Sequence, residues 1–204
     1  KANPVSLFIE KINKAQADRN VRALVLRINS PGGGVTASDI MYRRVVQFRE
    51  TRKVPVVAII EDVGASGGYY LACGADTILA HPTSVTGSIG VIVQTVSVAG
   101  TMKLIGITAQ AVTSGKYKDM ASPFKPLDKD DLAVLQEIVN TFYERFVGVV
   151  ASGRPTIAKD KVRALADGRV YTGEQAVKEG LVDRLGYMKD AIALAKERAG
   201  LERA

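Results

Sequence analysis

The chain has 204 residues, of which 47% are hydrophobic and 24% are charged, and its formal net charge is +7. This length suits one substantial core, and the dispersed basic residues alternate with acids, which favours a solvated surface over a nucleic-acid site. No run approaches the roughly 20 apolar residues of a spanning helix, and the single cysteine, Cys73, excludes an internal disulfide or a cysteine-based zinc site.

Predicted strands and helices alternate through the first half of the chain. In order, they are a helix at 4–18, a strand at 22–28, a helix capped by Thr36 or Ser38 that runs to about Arg52, a strand at 54–60, a helix opened by GASGG at 64–68, a strand at 77–80, a helix at 98–105 and a strand at 107–112. From residue 129 the apolar spacing predicts mainly helix, at 129–150, 158–165, 173–179 and 187–199. Because the strands are nearly all apolar, we expect an α/β fold with a mainly parallel sheet buried on both faces.

No linker or repeat divides the sequence, so we expect a single domain over 1–204. It would comprise an α/β core at 1–128 and a helical C-terminal subdomain at 129–204, either docked on the core or used in assembly. The chain begins at Lys1 without a signal-peptide pattern. We therefore expect a fragment of a longer protein, with any anchor or leader outside it.

Two glycine-rich turns follow predicted strands, and together they suggest a site for developing negative charge. PGGG at 31–34 presents backbone N–H groups without side-chain obstruction, and GASGG at 64–68 opens a helix whose first N–H groups are free to bind a ligand. The pair can supply two N–H donors to one oxygen. Either turn by itself is also compatible with a tight connection.

Ser66, within GASGG, is a candidate nucleophile because glycine-rich backbone turns sharply and lets another molecule approach closely. A serine hydroxyl needs a base to take its proton. In the G-x-S-x-G turn of α/β-hydrolases, that base is a histidine arriving late in the chain. The single histidine, His81, follows Ser66 too closely for that architecture, so a Ser-His-Asp triad is excluded.

Lysine is the remaining candidate for the base, provided that burial lowers its pKa from about 10.4 to roughly 7–8. The segment SGKYKDMASPF at 114–124 supplies Lys116 and Lys118 among apolar neighbours such as Met120. A surface loop with two solvated lysines is the alternative interpretation of this segment.

Four separate motifs, correct in order and spacing, carry a resemblance to a known family. They are NSPGGGV at 29–35, GASGGYY at 64–70, HPTSVTGSIGV at 81–91 and SGKYKDMASP at 114–123, and ADGRVYTGEQAVKEGLVDRLG at 166–186 fits with them. They resemble the signal peptide peptidase A family, the SppA-type serine proteases, over residues 21–186. The resemblance implies a ClpP/crotonase-like fold of repeated ββα units, with the catalytic residues in the core 1–128.

The resemblance also implies a Ser/Lys dyad. By position in the motifs, Ser66 would be the nucleophile and Lys118 the general base, whereas Lys116 does not occupy the family's lysine position. The backbone N–H groups of Gly33 and Gly67 would form the oxyanion hole. No metal or cofactor is implied.

Two further residues of the same motifs are interpreted by the resemblance. Ser88 in TGSIG would hydrogen-bond and orient the lysine, with a purely structural turn as the alternative. His81 stands where relatives often carry asparagine, which indicates that it is not catalytic.

Assembly, substrates and location follow from the resemblance as expectations. Relatives form closed rings or domes, so we expect a homo-oligomer with neighbour contacts at 98–125 and in the C-terminal helices, and the lysine of one subunit can meet the serine of the next. Substrates would be extended or unfolded peptides, chiefly signal-peptide remnants, and not nucleic acid. An N-terminal membrane anchor would lie outside this chain, which by itself would be soluble.

Two other functions remain open at this point. A crotonase-like enzyme would use the paired glycine turns to polarise an acyl-CoA thioester, and it would need an acidic catalytic residue rather than Ser66. A catalytically inactive, ring-forming scaffold at a membrane would keep Ser66 as a vestige.

Overall fold

Six strands form one sheet in the computed structural model, which describes residues 3–201, so that Lys1 lies outside the described residues. The strands are β1 (Leu24–Ser30), β2 (Val56–Ala65), β3 (Thr77–Ala80), β4 (Val85–Gly87), β5 (Val170–Thr172) and β6 (Arg184–Leu185). Their order is β5-β4-β2-β3-β6, and β1 pairs with β2. Only the β4–β5 pairing is antiparallel among these strands, so the predicted α/β class with a mainly parallel sheet is confirmed.

Eight helices accompany the sheet within the described residues. They are α1 (Pro4–Ala17), α2 (Val35–Arg52), α3 (Gly67–Ala72), α4 (Ala99–Leu104), α5 (Lys129–Gly153), α6 (Lys159–Leu165), α7 (Gly173–Lys178) and α8 (Met188–Arg198). This mixture of helices with a mostly parallel sheet is consistent with the ClpP/crotonase-like fold that the resemblance implied. None of the helices in residues 3–201 is long and apolar enough to cross a bilayer.

The centre of the sheet is β2, because its sequence is apolar on both faces. Five successive residues, from Val56 to Ile60, are completely buried. The strand pairs with β1 and β3 along its first half and with β4 at its end. β2 runs from the buried core to Ala65, so Ser66 lies directly after the carboxyl end of the central strand.

The described chain falls into two compact units. The larger unit contains the sheet and comprises the residues up to Gly90 together with those from Arg145 onward. The smaller unit is Val91–Glu144 and contains α4 and the first part of α5. In the larger unit, α1 is tied to α2 by Arg52, whose guanidinium donates to the carbonyl oxygens of Ala15 and Gln16.

Some local predictions were wrong. Residues 107–112 form no strand, since none of the described strands pairs with them. Neither Thr36 nor Ser38 caps α2, which begins after Gly34 without a side-chain cap. Cys73 is a buried free thiol.

Candidate active site

Ser66 occupies the junction between β2 and α3 in a conformation that is uncommon for a residue with a side chain. Its φ is 50° and its ψ is −119°, and positive φ at a non-glycine residue costs free energy that the surroundings must supply. Two backbone hydrogen bonds hold it there: its N–H donates to the Gly87 oxygen (2.8 Å) and its oxygen accepts from the Tyr70 N–H (2.9 Å). The half-buried side chain makes no helix-capping bond, which leaves the hydroxyl available for chemistry.

The two glycine turns meet because they follow neighbouring parallel strands. Ser30, the last residue of β1, is in register with Gly64 of β2, so the segments after both strands leave the same edge of the sheet. At Gly32, φ is +110°, and an added Cβ would lie 2.9 Å from the Ser66 Cβ and 2.8 Å from the Gly67 nitrogen. Only glycine fits at this contact.

The predicted oxyanion donors lie next to each other. A Cβ on buried Gly67 would lie 3.3 Å from the Gly33 nitrogen, and it would collide with the Ser38 hydroxyl. Gly33 itself is exposed, and a Cβ there would meet nothing within 4 Å. The structure therefore brings Gly33, Ser66 and Gly67 together at one edge of the sheet.

Two serines that the sequence analysis did not assign to the site fix the PGGG turn. The Ser30 hydroxyl accepts from the Gly32 N–H (3.2 Å), and the Ser38 hydroxyl donates to the Gly34 oxygen (3.1 Å). Ser30 stands immediately before Pro31-Gly32, and Ser38 stands four residues after Gly34 on a helix. Both spacings are typical of local side chain-to-backbone bonds, so the signal was present in the sequence.

Ser88 is close to Ser66 because it directly follows Gly87, the last residue of β4, which is hydrogen-bonded to Ser66. The Gly87 oxygen that accepts from the Ser66 N–H belongs to the peptide group that Gly87 shares with Ser88. Ser88 also has a positive φ of 50°, is half-buried, and donates its N–H to the Arg169 oxygen (2.8 Å). Thr86 fixes this strand end, because its hydroxyl donates to the Gly64 oxygen (2.7 Å). Ser88 is therefore placed in the same corner as the candidate nucleophile.

Lys118 lies in the smaller unit, whereas the other predicted site residues lie in the larger one. It is exposed in a turn, with its N–H donating to the Gly115 oxygen (3.1 Å). The adjacent carboxylate, Asp119, pairs with Lys125 at 2.8 Å, and Lys125 also pairs with Asp131 at 3.0 Å. The turn that carries Lys118 is thus anchored from one side by ion pairs, while the amine itself faces solvent in the single chain.

The other lysine of this segment is unsuited to act as a neutral base. Lys116 is exposed and pairs with Asp130. The hydrogen bond from Lys116 to Asp130, reinforced by the opposite charge, raises the pKa of the Lys116 amine. The ion pair with Asp130 favours the charged ammonium form of Lys116, which opposes its use as a neutral base.

His81, which directly follows β3, contacts a serine hydroxyl and an aromatic ring. Its N–H donates to the Ser84 hydroxyl (2.9 Å), and its ring lies 4.7 Å from the Tyr187 ring, centroid to centroid. Within residues 3–201, no cluster of three or more histidine, cysteine or acidic side chains could hold a metal ion.

Comparisons with known proteins find similarity over most of the chain. The profile of peptidase family S49 matches residues 48–202. A protein of Enterococcus faecium whose name assigns it to signal peptide peptidase SppA is 40% identical over 94% of this chain and 55% of its own length. The chloroplastic serine protease SPPA of Arabidopsis thaliana is 36% identical over 95% of this chain and 28% of its own. Protease 4 of Salmonella typhi is 36% identical over 94% of this chain and 31% of its own. The sequence thus spans about half of the first relative and under a third of the others.

Proposed function

The chain belongs to peptidase family S49, and from that premise we propose that it is a serine endopeptidase in which Ser66 is the nucleophile and Lys118 the general base. Membership confirms the resemblance to SppA-type proteases. The observation that carries the proposal is the corner around Ser66, where a strained serine lies against two glycine turns. The two turns are in close contact, since a Cβ added to Gly67 would lie 3.3 Å from the Gly33 nitrogen, and this contact supports a shared oxyanion site.

The proposed chemistry proceeds through an acyl-enzyme. The neutral Lys118 amine takes the Ser66 proton while Oγ bonds to the carbonyl carbon of a peptide, and the carbonyl electron pair moves onto its oxygen. The Gly33 and Gly67 N–H groups donate to that oxyanion. The C–N bond then breaks, and the lysine ammonium protonates the leaving amine. Water, deprotonated by Lys118, attacks the ester carbon, and Ser66 recovers its proton as the acid leaves.

Lysine acts as a base only where water is excluded from its amine, because desolvation lowers its pKa toward neutrality. In a single chain, the side chain of Lys118 is exposed. Its unit also exposes large apolar side chains, including Leu104 at 87% and Val112 at 98%, and apolar surface of this kind is typical of interaction sites. We propose that a neighbouring subunit covers this surface, so that the lysine of one subunit serves the serine of the next in a closed homo-oligomer.

The proposed substrates are extended peptides, chiefly signal-peptide remnants and unfolded segments. The support comes from the name of the Enterococcus relative, which refers to a signal peptide peptidase. We also propose that Ser88 orients Lys118, since the structure places it in the corner of Ser66. A membrane anchor preceding this chain remains part of the proposal.

Labelling with a fluorophosphonate probe, combined with hydrolysis of an extended apolar peptide, tests the proposed function. The wild type should be labelled and active, whereas Ser66→Ala should lose both properties. Ser6→Ala is the matched control, because Ser6 is an exposed serine of α1 and its substitution should change neither. Full peptide hydrolysis by Ser66→Ala would refute Ser66 as the nucleophile. Turnover of an acyl-CoA thioester that survives in Ser66→Ala would indicate the crotonase-like alternative, and a folded wild type that neither reacts with the probe nor turns over either substrate would indicate an inactive scaffold.

A further inference from the structure

The second tyrosine of GASGGYY, Tyr70, is the centre of a contact between three helices. Its side chain is 3% exposed. Its hydroxyl donates to an Asp39 carboxylate oxygen on α2 at 2.5 Å. The ring meets Tyr42 of α2 edge-on at 5.3 Å between centroids, and Phe146 of α5 at 4.9 Å. Both the polar and the apolar parts of Tyr70 are therefore engaged.

Arg145 of α5 completes the polar contact. Its Nε and Nη2 donate to the same Asp39 oxygen at 3.1 and 2.9 Å. Burial alone would raise the pKa of Asp39, but the hydrogen bonds from Tyr70 and Arg145 outweigh it, and the pKa lies below its usual value. Burial and the neighbouring carboxylate raise the pKa of Tyr70. At neutral pH the pair is therefore a carboxylate accepting from a phenol, which is a strong, charge-assisted hydrogen bond.

The position of this contact along the chain connects it with the site. Asp39 lies about one turn into α2, whose first residue follows Gly33-Gly34. Tyr70 lies one turn into α3, whose first residue is Gly67. The hydrogen bond therefore joins the two helices just behind the glycine turns that carry the proposed oxyanion donors. The distance between the two donors depends on how closely these helix ends are held together.

We propose that Asp39, Tyr70 and Arg145 form a clamp that sets the spacing of the Gly33 and Gly67 N–H donors, and that they are positioning residues for the peptidase. The inference rests on the proposed function. An oxyanion hole stabilises the transition state only when its donors are fixed beforehand at the position of the developing charge. A clamp between the two helix ends supplies this fixation without touching the substrate.

Tyr70→Phe tests the clamp most directly, because it removes the hydroxyl and keeps the ring contacts with Tyr42 and Phe146. We expect kcat to fall by about tenfold while KM stays within about twofold, since loosening the clamp displaces the Gly33 and Gly67 donors and so weakens hydrogen bonds to the oxyanion that are made only in the transition state. The affinity of a peptide boronate should fall by the same factor as kcat/KM, because its tetrahedral adduct places an oxygen between the donors. Labelled active sites give the concentration for each kcat.

Tyr69→Phe is the matched control. Tyr69 precedes Tyr70 on α3 and is completely buried, but its hydroxyl donates to the Leu181 oxygen at 2.8 Å, away from α2. Its loss should lower the unfolding temperature at least as much as Tyr70→Phe does, with kcat and boronate affinity unchanged. Asp39→Asn, which retains an acceptor oxygen, should lose less kcat than Asp39→Leu.

The outcomes separate this inference from the proposed function. If the wild type is labelled at Ser66 and Tyr70→Phe keeps wild-type kcat and boronate affinity, the clamp is refuted while the peptidase stands. Equal losses of kcat in Tyr69→Phe and Tyr70→Phe, in proportion to their stabilities, would reduce the clamp to general packing and also refute it. If Ser66→Ala hydrolyses peptides fully, the proposed function fails whatever the Tyr70 variants do.

Discussion

The corner around Ser66 and the turn around Lys118 differ in how much of their environment this chain supplies. In the corner, glycines lie backbone to backbone, Ser66 is held by two main-chain hydrogen bonds, and Gly67 is buried. In the turn, Lys118 is exposed and the neighbouring Tyr117 is also exposed. The geometry of a nucleophile and its oxyanion donors can be set by local backbone contacts. Local backbone contacts cannot keep a basic amine neutral, because neutrality requires that other groups exclude water from the amine.

Ion pairs of the smaller unit fix the backbone next to Lys118 but leave Lys118 itself exposed. Lys125 lies between Asp119 and the almost completely buried Asp131, so the end of the turn is fixed. Lys118, one residue before Asp119, extends from this anchored point into solvent. A fixed backbone carrying an exposed lysine agrees with the proposal that Lys118 is presented to another subunit.

The largest effect expected from this comparison is complementation between inactive variants. Ser66→Ala and Lys118→Ala should each lose at least about 10³-fold in kcat/KM, because each removes half of the dyad. Coexpressed in equal amounts, they should recover about one quarter of wild-type activity, since random assembly gives that fraction of interfaces an intact serine and an intact lysine. Peptide hydrolysis by the purified mixed oligomer measures this recovery.

Lys116→Ala is the control for the mixture, because it removes the neighbouring lysine, which pairs with Asp130. It should remain active alone. An assembled but inactive mixture of the two dyad variants would show that serine and lysine act within one chain. Lys118 would then not need a neighbouring subunit. Activity retained by Lys118→Ala alone would contradict its assignment as the base.

A smaller effect is expected from Gly32→Ala, which tests whether the corner is as closely fixed as its contacts indicate. The new Cβ would lie within 3 Å of Ser66 and Gly67 atoms, at a φ of +110°. We expect a loss of about 10²-fold in kcat as the donors are displaced, and a loss of roughly 1–3 kcal/mol in the free energy of unfolding from backbone strain. Active-site titration, peptide kinetics and urea unfolding measure these changes.

Gly34→Ala provides the comparison for this substitution. Gly34 has a φ of −60°, and an added Cβ would meet nothing within 4 Å. Its stability should stay close to wild type, within about 0.5 kcal/mol. Wild-type kcat in Gly32→Ala would mean that the corner tolerates displacement and that the oxyanion donors lie elsewhere.

Regular elements of the fold were predictable where a segment carried its own signal. The predicted strand at 77–80 agrees with β3, and the predicted helix at 4–18 agrees with α1 to within one residue. β4, β5 and β6 were missed because they have only three, three and two residues, too few to show a period. They are strands only through their partners, as the pairing of Thr86 with Tyr171 shows. The segment predicted as a strand at 107–112, ITAQAV, is mostly apolar but pairs with none of the described strands.

Prediction of the site was limited in the same way, by contacts between residues that are distant in the sequence. That the two glycine turns meet could be expected from neighbouring parallel strands, and the structure places Gly33, Ser66 and Gly67 together. The Asp39–Tyr70 hydrogen bond joins residues 31 positions apart, and no local pattern distinguishes Tyr70 from Tyr69. The proposed cover of Lys118 would come from a neighbouring subunit, so neither sequence periodicity nor the fold of one chain could predict it.

The smallest expected effect concerns stability alone, at the side of α3 away from the glycine turns. Arg154 donates to both carboxylate oxygens of Asp183 at 2.8 and 2.6 Å, and one of those oxygens also accepts from the Ile78 N–H at 2.7 Å. Burial tends to raise the pKa of Asp183, but the Arg154 and Ile78 hydrogen bonds outweigh it, and the pKa is lowered. A lowered pKa stabilises the fold above the unfolded value near 3.9, and this contribution is lost as pH falls through the folded value.

Asp183→Asn should therefore reduce the free energy of unfolding by about 1–3 kcal/mol at pH 7, and the difference from wild type should shrink steadily below about pH 4. Asp167→Asn is the control, because its partner Arg169 is solvent-exposed and the pair should add little. Urea unfolding of both variants and the wild type across this range measures the effect. A difference that stays constant down to pH 2 would show that Asp183 acts through packing alone. If labelling of Ser66 stays at the wild-type rate in folded Asp183→Asn, then the corner does not depend on the stability that the Arg154–Asp183 ion pair adds to the fold.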